Sequence, residues 1–343
     1  MVRVGLIGLG FMGRGHLDNY IKLEEEGFPV KLVAVCDIEA KKLNGKVEIE
    51  GNLEMGGGQY DFSNYAQYTD YRKMLEEQEL DYVDIVTPTY EHAEMTVYAL
   101  DKGFNVLCEK PMALNPEQCD KMLAAAKRNN KLLMIGQCLR FWPDYCVLKE
   151  YVENDKLGKP VMGMFYRGGS TPRWSYQNWL LHEDKSGGAL VDQHIHDVDM
   201  IHWCFGRPTE VSVVAGQVNP YSGTDAVSAH YRFTDDKLKA SAQDNWALDG
   251  SGFGMLYRVN FEKGCIVFDR GELNVYDAEG NNIPQELPEG DGYYRQLKHF
   301  INVVAGKEEI TENKPESSRD TIAIAMAEME SAKACGDWVK VEY

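Results

Sequence analysis

The sequence predicts an α/β protein in two parts: a parallel sheet wound by helices, followed by an α+β part built on a large, mostly antiparallel open sheet. Three observations carry that expectation. Over residues 1–136, apolar β-branched runs alternate with helix-length segments, the pattern of βαβ units. Over residues 209–276, short strand-like runs are separated by turn signals, the pattern of hairpins. The length of 343 residues fits about two domains at roughly 150 residues each. The expected division is 1–136 and 137–343.

The elements follow in chain order. Val2–Ile7 is a short apolar run ending in glycines, and Phe11–Gly27 reads as a helix stopped at Gly27. Val30–Cys36 is a continuous apolar run, as in a strand buried on both faces. Asp70–Gln78 is a short polar helix, Tyr82–Thr87 a buried strand, and Tyr90–Lys102 a helix stopped by Gly103. Asn105–Cys108 and Lys131–Ile135 are strands flanking a helix over Pro116–Asn129, with Asn115 as its N-cap. Beyond these, Cys146–Asn154 reads as a helix, Pro160–Gly169 as a strand and Gly188–Phe205 as one long helix. Strands are expected at Thr209–Val218, Ala226–Phe233, Leu238–Trp246, Gly254–Phe261, Gly264–Asp269 and Glu272–Tyr276. Helices near Tyr293–Ala305 and Arg319–Ala334 and a short strand at Trp338–Val341 complete the chain. The segment 44–64, with glycines 56–58, is irregular and reads as a flexible loop.

Composition narrows the function classes. There are 36 Lys and Arg against 54 Asp and Glu, a net charge of −18, and no run of basic residues. Such a chain repels a phosphate backbone, which disfavours nucleic acid as a partner. No stretch approaches the ~18 apolar residues of a membrane span. The N-terminus is apolar but interrupted by glycines, unlike a secretory leader. None of the eight cysteines forms CxxC, so reduced, mostly buried thiols in a cytoplasmic protein are expected and a cysteine-held metal is not.

Chemistry concentrates in three places. Gly8-Leu9-Gly10-Phe11-Met12-Gly13 is GxGxxG between a predicted strand and a predicted helix, the context that dinucleotide binding requires. The first glycine permits the tight turn, the second lets backbone approach a pyrophosphate, and the third lets helix pack on strand. The helix N-terminus offers free N–H groups to the phosphates. Asp37 ends the second strand, where a carboxylate accepts from ribose hydroxyls and repels a 2′-phosphate. Ile38 and Glu39 add no cation, which favours NAD over NADP. The bland alternative is a glycine turn that binds nothing, or binds another nucleotide.

The second place is Glu109-Lys110-Pro111, at the carboxyl edge of the expected parallel sheet, where ligands bind in doubly wound folds. A lysine there can hydrogen-bond a substrate hydroxyl; a surface lysine at a strand end is the competing reading. The third is the helix opening Gly187-Gly188-Ala189-Leu190-Val191-Asp192-Gln193-His194-Ile195-His196, with Asp197 and Asp199 following. Asp192 and His196 at i and i+4 share a face of a continuous helix, and a carboxylate beside an imidazole suits a general base. A merely solvated face, a metal site using His194, His196 and His202, and a Ser-His-Asp hydrolase compete. His-x-His points its two rings apart on a helix, and the chain has no GxSxG.

These features, in this order, resemble the Gfo/Idh/MocA oxidoreductase family, named for glucose–fructose oxidoreductase and inositol dehydrogenase. Thr87-Pro88-Thr89 with His92 is similar to that family's TPN-xx-H segment, with Thr89 in place of the usual Asn, and Gln137–Phe141 to the segment entering its second domain. The resemblance implies an N-terminal Rossmann domain and a C-terminal α+β domain whose open sheet often makes dimer contacts. It implies catalytic roles for Lys110, Asp192 and His196, a Lys110–Pro111 bond often held cis, and cofactor contacts from Gly8, Gly10, Phe11, Met12, Gly13, Asp37, Thr87, Pro88, His92, Glu109 and Lys110. The chain departs from the family at His194, where many members have glycine.

The expected activity is NAD-dependent transfer of hydride to or from a secondary hydroxyl of a sugar or polyol. Substrate contacts are expected from Lys110, Asp192 and His196 and from the second part, foremost Arg140, Arg173 and Trp174, because aromatic faces stack on sugar rings and Arg reads hydroxyls. Two rivals remain: a relative that retains NAD and cleaves glycosides, and a non-catalytic dinucleotide-binding regulator, which would be expected to lose part of the Lys/Asp/His set. Expected partners are a small sugar or polyol and further copies of the chain, as a homodimer or homotetramer through the C-terminal sheet. No metal, nucleic acid or membrane is expected.

Overall fold

Strands β1 (Val2–Ile7), β2 (Val30–Cys36) and β3 (Ala66–Tyr68) begin a computed structural model that describes residues 1–45, 60–247, 250 and 252–343. Helix α1 (Phe11–Glu25) joins the first two, and α2 (Tyr71–Glu77) follows the third. Then come β4 (Tyr82–Ile85), α3 (Thr89–Asp101), β5 (Asn105–Glu109), α4 (Pro116–Asn129) and β6 (Leu133–Gly136). Further on lie α5 (Pro143–Glu153), β7 (Pro160–Gly168), α6 (Glu183–Ser186), α7 (Gly188–Asp192) and α8 (Ile195–Phe205). Six strands follow: β8 (Glu210–Gly216), β9 (Ala226–Arg232), β10 (Lys239–Asn245), β11 (Gly254–Phe261), β12 (Gly264–Asp269) and β13 (Glu272–Asp277). Helices α9 (Gly292–Val304) and α10 (Pro315–Lys333) and strand β14 (Val339–Lys340) end the chain. Most of the expected loop at 44–64, glycines 56–58 included, lies outside the described residues.

The chain divides into two compact units. The first comprises Met1–Cys138, Trp174–Gln177 and Gly290–Ser318, the second Leu139–Arg173, Asn178–Glu289 and Arg319–Tyr343. In the first, six strands lie in the order β3-β2-β1-β4-β5-β6, all parallel. The reversal of direction beside β1 is the switch point at which doubly wound sheets bind ligands. Strands β4 and β6 are buried throughout, which accounts for their unbroken apolar runs. Asn115 caps α4 by accepting the Gln118 N–H at 3.0 Å, and Asp70 caps α2 in the same way.

The second unit carries an eight-stranded sheet in the order β13-β12-β11-β7-β10-β9-β8-β14. Every neighbouring pair is antiparallel except β7 with β10. Burial alternates along β9 and β10, with Val227, Ala229, Tyr231, Ala240 and Ala242 inward. Met162, Met164 and Val214 stay exposed. One buried face and one open face is what period-2 patterning produces.

One expected element is corrected. The long helix over Gly188–Phe205 is two helices, α7 and α8, with Gln193 and His194 at the junction. Strand β3 and helix α6, both short, went unforeseen in the patterning.

Candidate active site

The glycine turn is built as its spacing requires. Gly8 has φ +99°, and a Cβ there would lie 2.2 Å from the Val86 carbonyl oxygen. A Cβ on Gly13 would lie 2.0 Å from the Gly8 carbonyl oxygen, so helix and turn touch backbone to backbone. Gly10 differs: a Cβ would meet nothing within 4 Å. The space a side chain would fill at the N-terminus of α1 is therefore open, which fits a pyrophosphate against the helix N–H groups. Phe11 and Met12 form the first turn of α1.

Asp37 is buried, and its Oδ2 accepts the Leu9 N–H at 2.8 Å while Oδ1 accepts the Glu39 N–H. The residue expected to read ribose thus also ties down the turn. Lys42 lies 3.1 Å from Asp37 Oδ2. The absence of a cation, argued from Ile38 and Glu39, is corrected here: a single 3₁₀ turn over Ala40–Asn44 brings one back to the carboxylate.

At the carboxyl end of β5, the Lys110–Pro111 bond is cis and Lys110 is half-buried. Glu109 is buried, and its Oε2 accepts the Lys110 N–H at 3.2 Å. Burial works to raise the Glu109 carboxyl, but His16 and Lys110 outweigh it and hold it below the ordinary range. His92 is buried with its ring nitrogens 2.8 Å from the Pro111 and Thr87 carbonyl oxygens, so it pins the two loops that flank β4 and β5. Burial depresses its basicity. Thr87, Pro88, His92, Glu109 and Lys110 therefore gather at one sheet edge, with the glycine turn at the neighbouring strand.

In the second unit Asp192 ends α7, half-buried, and His196 lies in the first turn of α8, buried. The continuous helix expected to carry the i, i+4 spacing is interrupted between them, at Gln193 and His194. There the His194 N–H reaches back to the Ala189 carbonyl at 2.8 Å, one residue farther than an α-helical bond. At the same junction the buried Gln193 amide donates to both oxygens of Asp244 at 3.1 and 3.2 Å and accepts the Trp246 indole N–H at 3.2 Å. Burial holds the Asp244 carboxyl well above the carboxylate range. His194 points inward, its Nε2 3.3 Å from the Tyr231 hydroxyl and 3.6 Å from Glu328.

Arg140 is 3% exposed and forks onto Asp199 at 2.7 and 2.8 Å, and Thr321 donates to the same carboxylate. A guanidinium committed in this way braces α8. Arg167 is equally buried and pairs with Asp197 at 3.1 Å. Arg173 is exposed, and Trp174, half-buried, is assigned to the first unit. His16, Lys42, Gln193 and Asp244 were missed from the sequence. Only His16 left a trace there, as a polar residue beside Leu17 and Tyr20 on the buried stripe of α1.

Residues 2–137 match the oxidoreductase family described as NAD-binding Rossmann fold, and residues 145–267 match the GFO/IDH/MocA C-terminal domain. The chain is 30% identical to myo-inositol 2-dehydrogenase of Thermotoga maritima over 322 residues, covering 89% of each protein. The chain belongs to the GFO/IDH/MocA oxidoreductase family. The first unit of this family member is thus an NAD-binding Rossmann domain. The match to inositol 2-dehydrogenase of Salmonella paratyphi B is 28% identical over 209 residues, 59% of this chain and 54% of that one. Against that relative the chain spans about half the length. Levoglucosan dehydrogenase, solved with NADH and levoglucosan, superposes with a TM-score of 0.86 at 21% identity over 100% of both chains. That likeness extends the fold to the whole family member, antiparallel sheet included.

Proposed function

We propose that the protein reversibly oxidises a secondary hydroxyl of a sugar or polyol, with NAD taking up the hydride. The observation that carries this is the glycine turn, open at Gly10 and tied by Asp37, in a chain that also retains Lys110, Asp192 and His196. The named activities of the inositol and levoglucosan dehydrogenases support the substrate class.

Gly8–Gly13 and Asp37 would hold NAD, with Thr87, Pro88, His92, Glu109 and Lys110 alongside, and the cofactor would supply hydride transfer. The remaining work falls to the chain. His196 accepts the hydroxyl proton at an imidazole nitrogen. The Lys110 ammonium donates a hydrogen bond to the oxygen on which negative charge develops. Asp192 orients substrate hydroxyls or the imidazole. Arg173 and Trp174 read the rest of the substrate, the tryptophan by stacking. Arg140 has the weakest claim to contact, since Asp199 holds its guanidinium. Residues 1–136 form the dinucleotide domain, and 137–343 serve substrate binding and assembly. Assembly as a homodimer or homotetramer through the C-terminal sheet is supported by the exposed Met162, Met164 and Val214. A cytoplasmic location accords with the eight free cysteines. Among the described residues no helix is long and apolar enough to cross a membrane.

The test is a panel of polyols, free sugars, sugar phosphates and nucleotide sugars with NAD, followed by NADH absorbance. Turnover of at least one alcohol is expected. A parallel arm offers glycosides without added NAD, and cleavage only there would replace this reading with retained-cofactor chemistry. Lys110→Ala and His196→Ala both staying within about tenfold of the parent rate would sink the residue assignment.

A further inference from the structure

In the first unit, His16 and Asp84 have no role in the steps above, and they join Glu109 in a cluster of buried ionisable groups on α1, β4 and β5. His16 is fully buried on α1. Its Nδ1 lies 2.8 Å from Asp84 Oδ2 on β4, and its Nε2 lies 3.2 Å from Glu109 Oε1 on β5. Both partners are carboxylates: Nδ1 hydrogen-bonds Asp84, while Nε2 stands in an ion-pair contact with Glu109 that lacks hydrogen-bond alignment, and a doubly protonated ring answers both charges. Burial opposes that charge, but Asp84 and Glu109 prevail and hold the ring's pKa up at about 10.

The cluster is walled on each side. Asp84 Oδ2 also accepts the Tyr20 hydroxyl at 2.8 Å, and Tyr20 meets the Tyr82 hydroxyl at 2.8 Å. On β6, Gly136 leaves the space that Glu109 uses, since a Cβ there would stand 2.4 Å from Oε1. The far oxygen of the same carboxylate takes the Lys110 N–H. A continuous chain of contacts thus runs from the helix that starts at the glycine turn, through one imidazolium and one carboxylate, to the backbone of Lys110.

We propose that His16 is a positioning residue, which through Glu109 locks the backbone at Lys110 to the helix that receives the dinucleotide. The proposal rests on the catalytic reading of Lys110. Cofactor and lysine are then referenced to one rigid frame. An uncharged residue at position 16 leaves Asp84 and Glu109 buried without the cation they share, and Glu109 is driven to turn away or take up a proton. Turning away frees the Lys110 amide from its acceptor, and protonation weakens Glu109 as that acceptor.

The test is a double-mutant cycle of His16→Gln and Lys110→Ala, on whichever alcohol the panel selects. His16→Gln alone is expected to lower kcat toward the ~10²-fold loss that about 1 Å of misplacement produces. In the Lys110→Ala background the same change should alter the residual rate by less than about threefold, since its target is gone. His16→Gln should change NADH affinity, read by fluorescence, by less than about threefold within each background. A readout independent of turnover is nitrogen NMR of histidine-labelled protein, in which both ring nitrogens of His16 should be protonated at neutral pH. Should His16→Gln fail to fold, His16→Asn enters the same cycle with the same expectation. Equal fold losses in both backgrounds, or a neutral His16 ring at neutral pH, overturn the proposal and leave the role of Lys110 standing. An unaffected Lys110→Ala single variant overturns the role of Lys110 and the proposal with it.

Discussion

In the first unit the buried charges sit at the ends of three neighbouring elements, α1, β4 and β5, and one imidazolium serves two carboxylates. In the second unit they lie along α8 and its junction with α7, and each has its own partner on a distant element. Asp197 pairs with Arg167 on β7, Asp199 with Arg140, and Gln193 with Asp244 on β10, while His194 faces Tyr231 and Glu328. The parallel sheet presents its site through strand ends and turns, so backbone geometry does most of the positioning. The split helix has no such frame, and long-range side-chain bonds hold it in its place.

The largest expected effect tests whether both units contribute chemistry. Lys110→Ala and His196→Ala should each lower kcat by about 10²–10⁴-fold in steady-state NADH assays, with the protein still folded. A loss confined to one of the two variants would assign the chemistry to a single unit. Next, Arg167→Met strands a buried carboxylate at Asp197 and should cost about 3–5 kcal/mol of stability by urea denaturation. A far smaller cost would mean that α8 does not depend on its pairs. Gly13→Ala pushes a Cβ against the Gly8 carbonyl and should cost about 1–3 kcal/mol, with weakened NADH binding by fluorescence titration.

A smaller effect separates the two kinds of burial by pH. His16 titrates at about 10 in the fold against roughly 6.5 when unfolded, so its stabilisation is full below pH ~6.5 and is lost as pH rises through about 10. The urea midpoint of the parent should therefore fall between pH 7 and 10 more steeply than that of His16→Gln. Equal slopes would mean that the ring is not charged in the fold. The smallest effect is local: Asn115→Ala removes a helix cap and should cost about 1 kcal/mol in thermal unfolding.

What could be read from the residues alone follows the same division. The turn at Gly8–Gly13, the cap at Asn115 and most strands of both sheets depend on neighbours a few positions away, and the sequence patterning located them. The break at Gln193 did not announce itself, because the partners of its side chain, Asp244 on β10 and Trp246 just past it, lie about fifty residues away in a segment that gives no hint of the pairing. Arg140 reads as a substrate contact because an arginine can bind hydroxyls, and only the fold shows that Asp199 holds its guanidinium while Thr321 donates to the same carboxylate. Lys42 was overlooked because a 3₁₀ turn shortens the path from Asp37. Local rules see caps, turns and alternation, and they are blind to a polar bond that closes over dozens of residues.

Helix α9 packs on α1 within the first unit, Phe300 meets Tyr82 edge-on at 5.0 Å, and Asn313 donates to the Ile135 carbonyl at 2.6 Å. A chain emerging from the ribosome therefore completes all six parallel strands long before the helix that covers α1 has been translated. The nascent Rossmann half must wait with that face bare while the whole antiparallel sheet is synthesised. A gene cut after residue 138 would leave it bare permanently, so the dinucleotide domain cannot be excised by trimming one end and would need the distant C-terminal stretch grafted back.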